Sequence, residues 1–309
     1  MKKYLWGLLY SLGLAAFTVY LLLDTFVIAR VYVPALETVS ETKVTGEMLD
    51  IGIGDTPETE PEPIPTIVTE NLYVDEQIAI EITQHRWDNS DVYVADILLM
   101  SPEYLKTALA MGAYGRNVTQ TTSEMAEANG AILAVNGDYY GSRDNGYVLR
   151  NGVAYRAAGK RGRDVLVIGE DGVFSIGQEG AVTVKAMQSA GARHVLSFGP
   201  VLLKDGEVAV PARGLSGHAT KRNPRTAIGM VEELHYVFVT VDGRTAKSAG
   251  LTVQSLAKFM ATLGVQTAYN LDGGGSAAMV FNGQVVNRPT YDGKVIEERK
   301  VSDIVYIGY

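Results

Sequence analysis

Asp272 stands immediately before Gly273, Gly274 and Gly275 in the stretch NLDGGGSAAM. Glycines lack the Cβ that holds backbone away from a ligand, so successive N–H groups can form a concave anion site beside the carboxylate. A long glycine hairpin between VQTAYNL and AAMVFNG would use the same residues. A second group lies in HATKRNPRTAIGM. Arg225 follows Asn223-Pro224 and opens an apolar run, a loop-to-strand junction from which a guanidinium can clamp a phosphate. Lys221 and Arg222 read as solvated charges. His218 is either an acid/base or ligand donor, or an exposed loop histidine. Asp242 closes the apolar LHYVFVTV and begins Asp242-Gly243-Arg244, a plain turn unless its carboxylate joins the same pocket. Finally, NGDYYGSRDNG sets Asp138 beside two tyrosines that can stack on a sugar or pack at a strand end.

These groups need elements to bring them together. SEMAEANG runs into the apolar AILAV and then Asn136-Gly137-Asp138, while SLAKFMATLG runs into VQTAY and then Asn270-Leu271-Asp272. Both units read as helix, glycine, strand, Asn-x-Asp. Residues two apart share a strand face, so the pattern predicts two neighbouring strand ends that aim Asp138 and Asp272 into one pocket. Asn-Gly or Asp-Gly pairs at Gly152, Gly172, Gly206, Gly283 and Gly293 punctuate short strand-like runs and predict tight hairpins. Three helices are expected: from Ser101-Pro102 in SPEYLKTAL, from the Thr121/Glu124 capping box, and over LTVQSLAKFMATLG, with Leu256, Met260 and Leu263 on one face and Gly264 as its stop. The expected fold is α+β, a mixed and largely antiparallel sheet with packed helices.

Composition sets the context. The formal net charge of -8 argues against nucleic-acid binding, which requires a concentrated basic face. There is no cysteine, which removes disulfides, thiolate metal sites and cysteine nucleophiles. Lys2 and Lys3 precede an uncharged run from Tyr4 to Leu23, long enough to span a bilayer as a helix with the N-terminus inside. Residues 1–33 are therefore expected to be a single-pass membrane anchor. Residues 34–66, rich in Pro, Thr and Glu, form an acidic flexible stalk, and 67–309 one main extracytoplasmic domain.

The ordered series NGDYY (136–140), FGPVLLKDG (198–206), PRTAIG (224–229), VDGR (241–244) and NLDGGGSAAMVFNG (270–283) resembles the phosphodiester glycosidase family. The resemblance covers about residues 85 to 309. It implies hydrolysis of a sugar-1-phosphodiester, of the N-acetylglucosamine type, to free sugar and a phosphomonoester, without metal or cofactor. The implied setting is a phosphate-containing cell-surface glycan or exopolysaccharide. On this resemblance Asp272 and Asp138 would be the catalytic carboxylates, with Asp242 in reserve. Arg225 and Gly273 to Gly275 would cradle the phosphate, and Asn136, Asn270, Ser276, Thr226 and His218 would contact the substrate. The competing expectation is a non-catalytic module that binds a phosphorylated surface polysaccharide in the same pocket.

Overall fold

Long apolar runs such as HYVFVTV cannot belong to a sheet with one wet face, and they do not. In the computed structural model, which describes residues 2–27, 30–31, 65–210 and 217–309, the strand His235–Val241 lies inside a nine-stranded sheet covered on both sides. Its core order is Val201–Lys204, Thr267–Asn270, Arg225–Glu232, His235–Val241, Ser90–Leu99 and Ile78–Trp87. One face carries the helix Val253–Ala261, whose Leu256 and Met260 meet Ala227, Val237 and Val239. On the other face Ile80, Ile97 and Phe238 share a core with Leu133 and Val305 of one five-stranded sheet and Leu166 and Leu196 of another. Burial on both faces explains why these strands lack the alternation of a half-exposed sheet.

All pairings between named strands are antiparallel, so the expected mixed sheet is corrected to antiparallel sheets with a few packed helices. Three predicted turns have positive φ at both central residues: Asn151-Gly152, Asp205-Gly206 and Asn282-Gly283. This is the geometry of a type I′ hairpin. At Asp171-Gly172 only the glycine is left-handed. At Gly293 no hairpin forms. An added Cβ there would lie 2.0 Å from the carbonyl oxygen of Arg244, so this glycine serves close approach between two loops.

The Thr121 capping box forms as predicted, with Glu124 returning its bond to the cap. The helix expected from Ser101 does not. Ser101 caps a single 3-10 turn, Pro102–Tyr104, after which Leu105–Leu109 is a strand paired with Asp303–Ile307. A helix of this length is marginal alone, and pairing onto a sheet that buries Leu105 outweighs it.

At the N-terminus, Lys2–Phe26 is helical. Among the described residues no helix is long and apolar enough to cross a membrane, so the expected anchor is not shown. The expected stalk lies outside the described residues, apart from its last two positions.

Gly229, in the PRTAIG stretch, admits the helix. A Cβ there would sit 2.6 Å from Val265 Cγ1 and 3.0 Å from Met260 Cε. Overpacking of this kind costs about 1–3 kcal/mol. Gly229→Ala is expected to lower the urea midpoint by that amount without changing the slope, and an unchanged midpoint would show that the helix shifts freely.

Candidate active site

The two Asn-x-Asp strand ends meet at the seam between the nine-stranded sheet and a five-stranded one. Asn136, fully buried at the end of Leu133–Asn136, donates through Nδ2 to the Asp272 carbonyl at 2.7 Å. Its Oδ1 accepts from the Thr226 hydroxyl at 2.6 Å and from the Ala278 N–H. The Asp272 N–H donates to the Gly137 carbonyl at 3.1 Å. Asn136 and Thr226 therefore stitch the backbone that presents Asp272 and lie beneath the site, off its surface. Asn270 has a similar role, since its Nδ2 holds the Gly199 carbonyl beside Phe198.

The carboxylates diverge. Asp272 faces a cavity of about 330 Å³. Asp138 turns away into the protein, fully buried. It pairs with Arg150 at 3.0 Å and accepts from the N–H groups of Ser197 at 2.7 Å and Tyr140 at 3.1 Å. The period-two argument applies only within a strand, and both aspartates lie beyond the strand ends. Gly137, whose added Cβ would collide with the Asp303 carboxylate at 2.3 Å, brings Asp138 toward the buried Arg150–Asp303 pair. The expected carboxylate pair is thus replaced by a single cavity carboxylate. Asp242 is elsewhere too, buried and held by Asn287 Nδ2 at 3.0 Å and the Arg288 N–H at 2.9 Å, on the wall of a different cavity.

The glycines are needed for a reason other than the one the sequence suggests. The Gly273 N–H donates to Asp272 Oδ1 and the Gly274 N–H to the Pro224 carbonyl, so neither is free for a phosphate. A Cβ at Gly273 would lie 2.6 Å from the Pro224 carbonyl oxygen, one at Gly274 2.8 Å from Arg244 Nη2, and one at Gly275 3.1 Å from Tyr291 Cδ2. The triplet therefore lets Pro224, Arg244 and Tyr291 close around Asp272. Gly273 and Gly274 line the cavity, and Gly275 lies behind it.

Cations take the role that the backbone leaves. Arg143, Arg225, Arg244 and Arg299 all line the cavity with Asp272. Arg225, only 6% exposed, donates Nε to the Leu251 carbonyl and Nη2 to the carbonyls of His218 and Lys221. Arg244 is held by Asn223 Oδ1 and the Tyr291 carbonyl, and Arg143 by the Ser197 carbonyl and the Phe198 ring, 4.6 Å away. Among the described residues none of these three has a carboxylate partner. Arg299 alone pairs with Asp272, at 2.9 Å, and also donates to Ser276 Oγ. Burial and the neighbouring Arg244 push the Arg225 guanidinium down to about 10, still cationic at neutral pH and destabilised in a way that a bound anion would relieve. Burial pushes the Asp272 carboxyl up, against the opposing pull of Arg299, the Ser276 hydroxyl and the Gly273 N–H.

Among residues the sequence singled out, the cavity unites Asp272, Arg225, His218, Gly273 and Gly274, with Ser276 behind Arg299. Tyr139, one of the two tyrosines expected to stack on a sugar or pack at a strand end, also lines it, while Arg143, Arg244 and Phe198 lie within recognised stretches but carried no assigned role. Arg299 sits in the irregular GKVIEERK, which offers no motif.

A family model described as phosphodiester glycosidase matches residues 129–308, more than half the chain and every residue that lines the Asp272 cavity. The chain belongs to the phosphodiester glycosidase family. It is 31% identical over 203 residues to an SPbeta prophage-derived uncharacterized protein of Bacillus subtilis, covering 63% of this chain and 31% of that protein. It is 26% identical over 220 residues to N-acetylglucosamine-1-phosphodiester alpha-N-acetylglucosaminidase of Bos taurus, covering 65% of this chain and 42% of the relative. The chain thus spans less than half the length of either curated relative. Its fold matches the catalytic domain of the zebrafish enzyme of the same name, in a structure described as auto-inhibited by pro-peptide. That match has a TM-score of 0.61 and 22% identity, over 75% of this chain and 83% of that one. The phosphodiester glycosidase match begins just upstream of Leu133–Asn136 and so includes both Asn-x-Asp units and all four cavity arginines.

Proposed function

We propose that the chain hydrolyses a sugar-1-phosphodiester at the Asp272 cavity, releasing free sugar and a phosphomonoester. The observation that carries this reading is one buried carboxylate facing four guanidiniums, an excess of positive charge in a space of about 330 Å³. Such a site suits a substrate with an anionic leaving group. Arg225, Arg143 and Arg244 have N–H groups for the phosphate oxygens, in the planar geometry that arginine matches. A phosphate departs readily, so the C1–O bond can break without a second carboxyl acting as acid. Asp272 stabilises the positive charge that develops at the anomeric carbon and takes the proton of the attacking water. Phe198 and Tyr139 offer apolar walls for a sugar ring.

The test is incubation of the protein with a synthetic N-acetylglucosamine α-1-phosphodiester, with measurement of free sugar. Arg225→Lys keeps the charge and removes the fork, and is expected to lower kcat/KM about 10²-fold. Tight binding without release would replace hydrolysis by a phosphorylated-glycan binding module. The natural substrate is proposed to be a phosphate-containing surface polymer, a reading supported by the excess of arginine on the cavity. Sugar release from an isolated surface polymer tests it, and a wholly inert polymer would sink that extension.

Acid inactivation follows from the burial of Asp272. The working form is the carboxylate, and burial raises its pKa, so kcat/KM should fall with decreasing pH at a midpoint above the roughly 3.9 of an ordinary aspartate. A pH profile flat down to that value would contradict the role given to this carboxylate.

A further inference from the structure

A second cavity, of about 440 Å³, has no lining residue in common with the first but is built partly from the same two segments. In the loop that follows Asp242, Arg244 faces the reaction cavity while Thr245 to Ser248 line the second one. In the segment from Arg288 to Arg299, Arg299 faces the reaction cavity and Arg288, Gly293, Lys294 and Ile296 line the second. The two segments are locked together, because Arg244 donates to the Tyr291 carbonyl and Gly293 has no Cβ to hold off the Arg244 carbonyl.

Three basic side chains, Lys247, Arg288 and Lys294, line this second cavity, and among the described residues none has a carboxylate partner. Its two carboxylates are already satisfied. Asp91 pairs with Arg86 at 2.8 Å, and Asp242 accepts from Asn287 and the Arg288 N–H. The protein as a whole carries a formal net charge of -8. The two cavities together carry seven basic residues and three carboxylates that already have partners.

We infer that the second cavity is a subsite for a second phosphate, so that the substrate is a glycan with successive sugar-phosphate units. This rests on the hydrolytic reading above and extends it. One phosphodiester would lie against Arg225 and Arg244 for cleavage. The next would meet Lys247, Arg288 and Lys294 on the far side of the two segments. Exposed cations of this kind act by charge, so the preference they confer weakens as salt screens it.

The experiment compares a synthetic glycosyl phosphodiester carrying one phosphate with its homologue carrying two consecutive sugar-phosphate units. Affinity is measured on the Asp272→Asn protein, and sugar release on the wild type. The two-phosphate ligand is expected to bind about tenfold more tightly at low salt. Lys247→Ala/Lys294→Ala, in the Asp272→Asn background, should erase that difference while leaving one-phosphate binding unchanged. Both lysines are exposed and bond to nothing through their side chains in the described structure, so the double variant should retain its thermal midpoint. Equal affinities for the two ligands, or a preference that survives the double substitution, would overturn the inference. Absence of sugar release from either ligand, with the binding preference intact, would instead reject hydrolysis and leave the second subsite standing.

Discussion

Asp272→Asn is expected to leave a folded protein that releases sugar about 10³-fold more slowly while binding the phosphodiester at least as tightly as wild type. The substitution is close to isosteric. Its amide can still accept the Gly273 N–H through Oδ1, which turns Nδ2 toward the Arg299 guanidinium, donor against donor, so the loop keeps its backbone contact and loses the Arg299 bond. What disappears is the negative charge, among the described residues the only carboxylate on a cavity with four arginines. Ground-state affinity for an anion should rise or hold, since the excess positive charge grows. The transition state, which needs a carboxylate near the anomeric carbon and a base for water, loses its main support. The effect therefore falls on kcat. Single-turnover sugar release alongside direct ligand binding separates the two, and a kcat loss below tenfold would contradict the assigned role.

Arg150→Met is expected to be the most destabilising single change, through an ion cluster that the reaction does not touch. Arg150 is 1% exposed and bonds both Asp138, at 3.0 Å, and Asp303, at 2.7 Å. Removing the cation strands two buried carboxylates, a loss of about 3–5 kcal/mol against a typical total of about 5–15. Urea unfolding at neutral pH measures it. Burial and the neighbouring Asp138 push the Asp303 carboxyl up even with Arg150 present, so the folded state holds that proton more tightly than the unfolded chain. For an acid raised in this way the stabilising contribution is present below its unfolded pKa and is lost as pH rises through the folded one. The variant should therefore recover part of its stability on mild acidification. An unchanged urea midpoint at neutral pH would mean that the two carboxylates find other partners.

That cluster also shows where the sequence stopped being legible. Local signals held where the physics is local: the Thr121 capping box and the left-handed Asn151-Gly152 and Asn282-Gly283 turns depend on neighbours a few residues away, and the helix expected to stop at Gly264 forms but ends earlier, at Ala261, with Gly264 left-handed in the turn beyond. The two Asn-x-Asp units also predicted adjacent strand ends, and the Asn136 bond to the Asp272 carbonyl joins them. The fate of Asp138 was not local. It depends on Arg150, which carried no assigned role, and on Asp303, which lies 165 residues away and in no recognised motif. SPEYLKTAL failed for the same reason, as its strand partner is the chain's last strand. The phosphate cradle was misattributed because glycine spacing records where backbone comes close without saying what approaches. Here it is Pro224, Arg244 and Tyr291, so arginines carry the positive charge that the glycine N–H groups were expected to supply.

The central claim is that the anomeric C–O bond breaks opposite Asp272 while the arginines keep the phosphate intact. Hydrolysis of the synthetic phosphodiester in ¹⁸O-labelled water, with mass analysis of both products, tests this most directly. The account predicts label on the released sugar and none on the phosphomonoester; label on the phosphate would place the attack at phosphorus and contradict it.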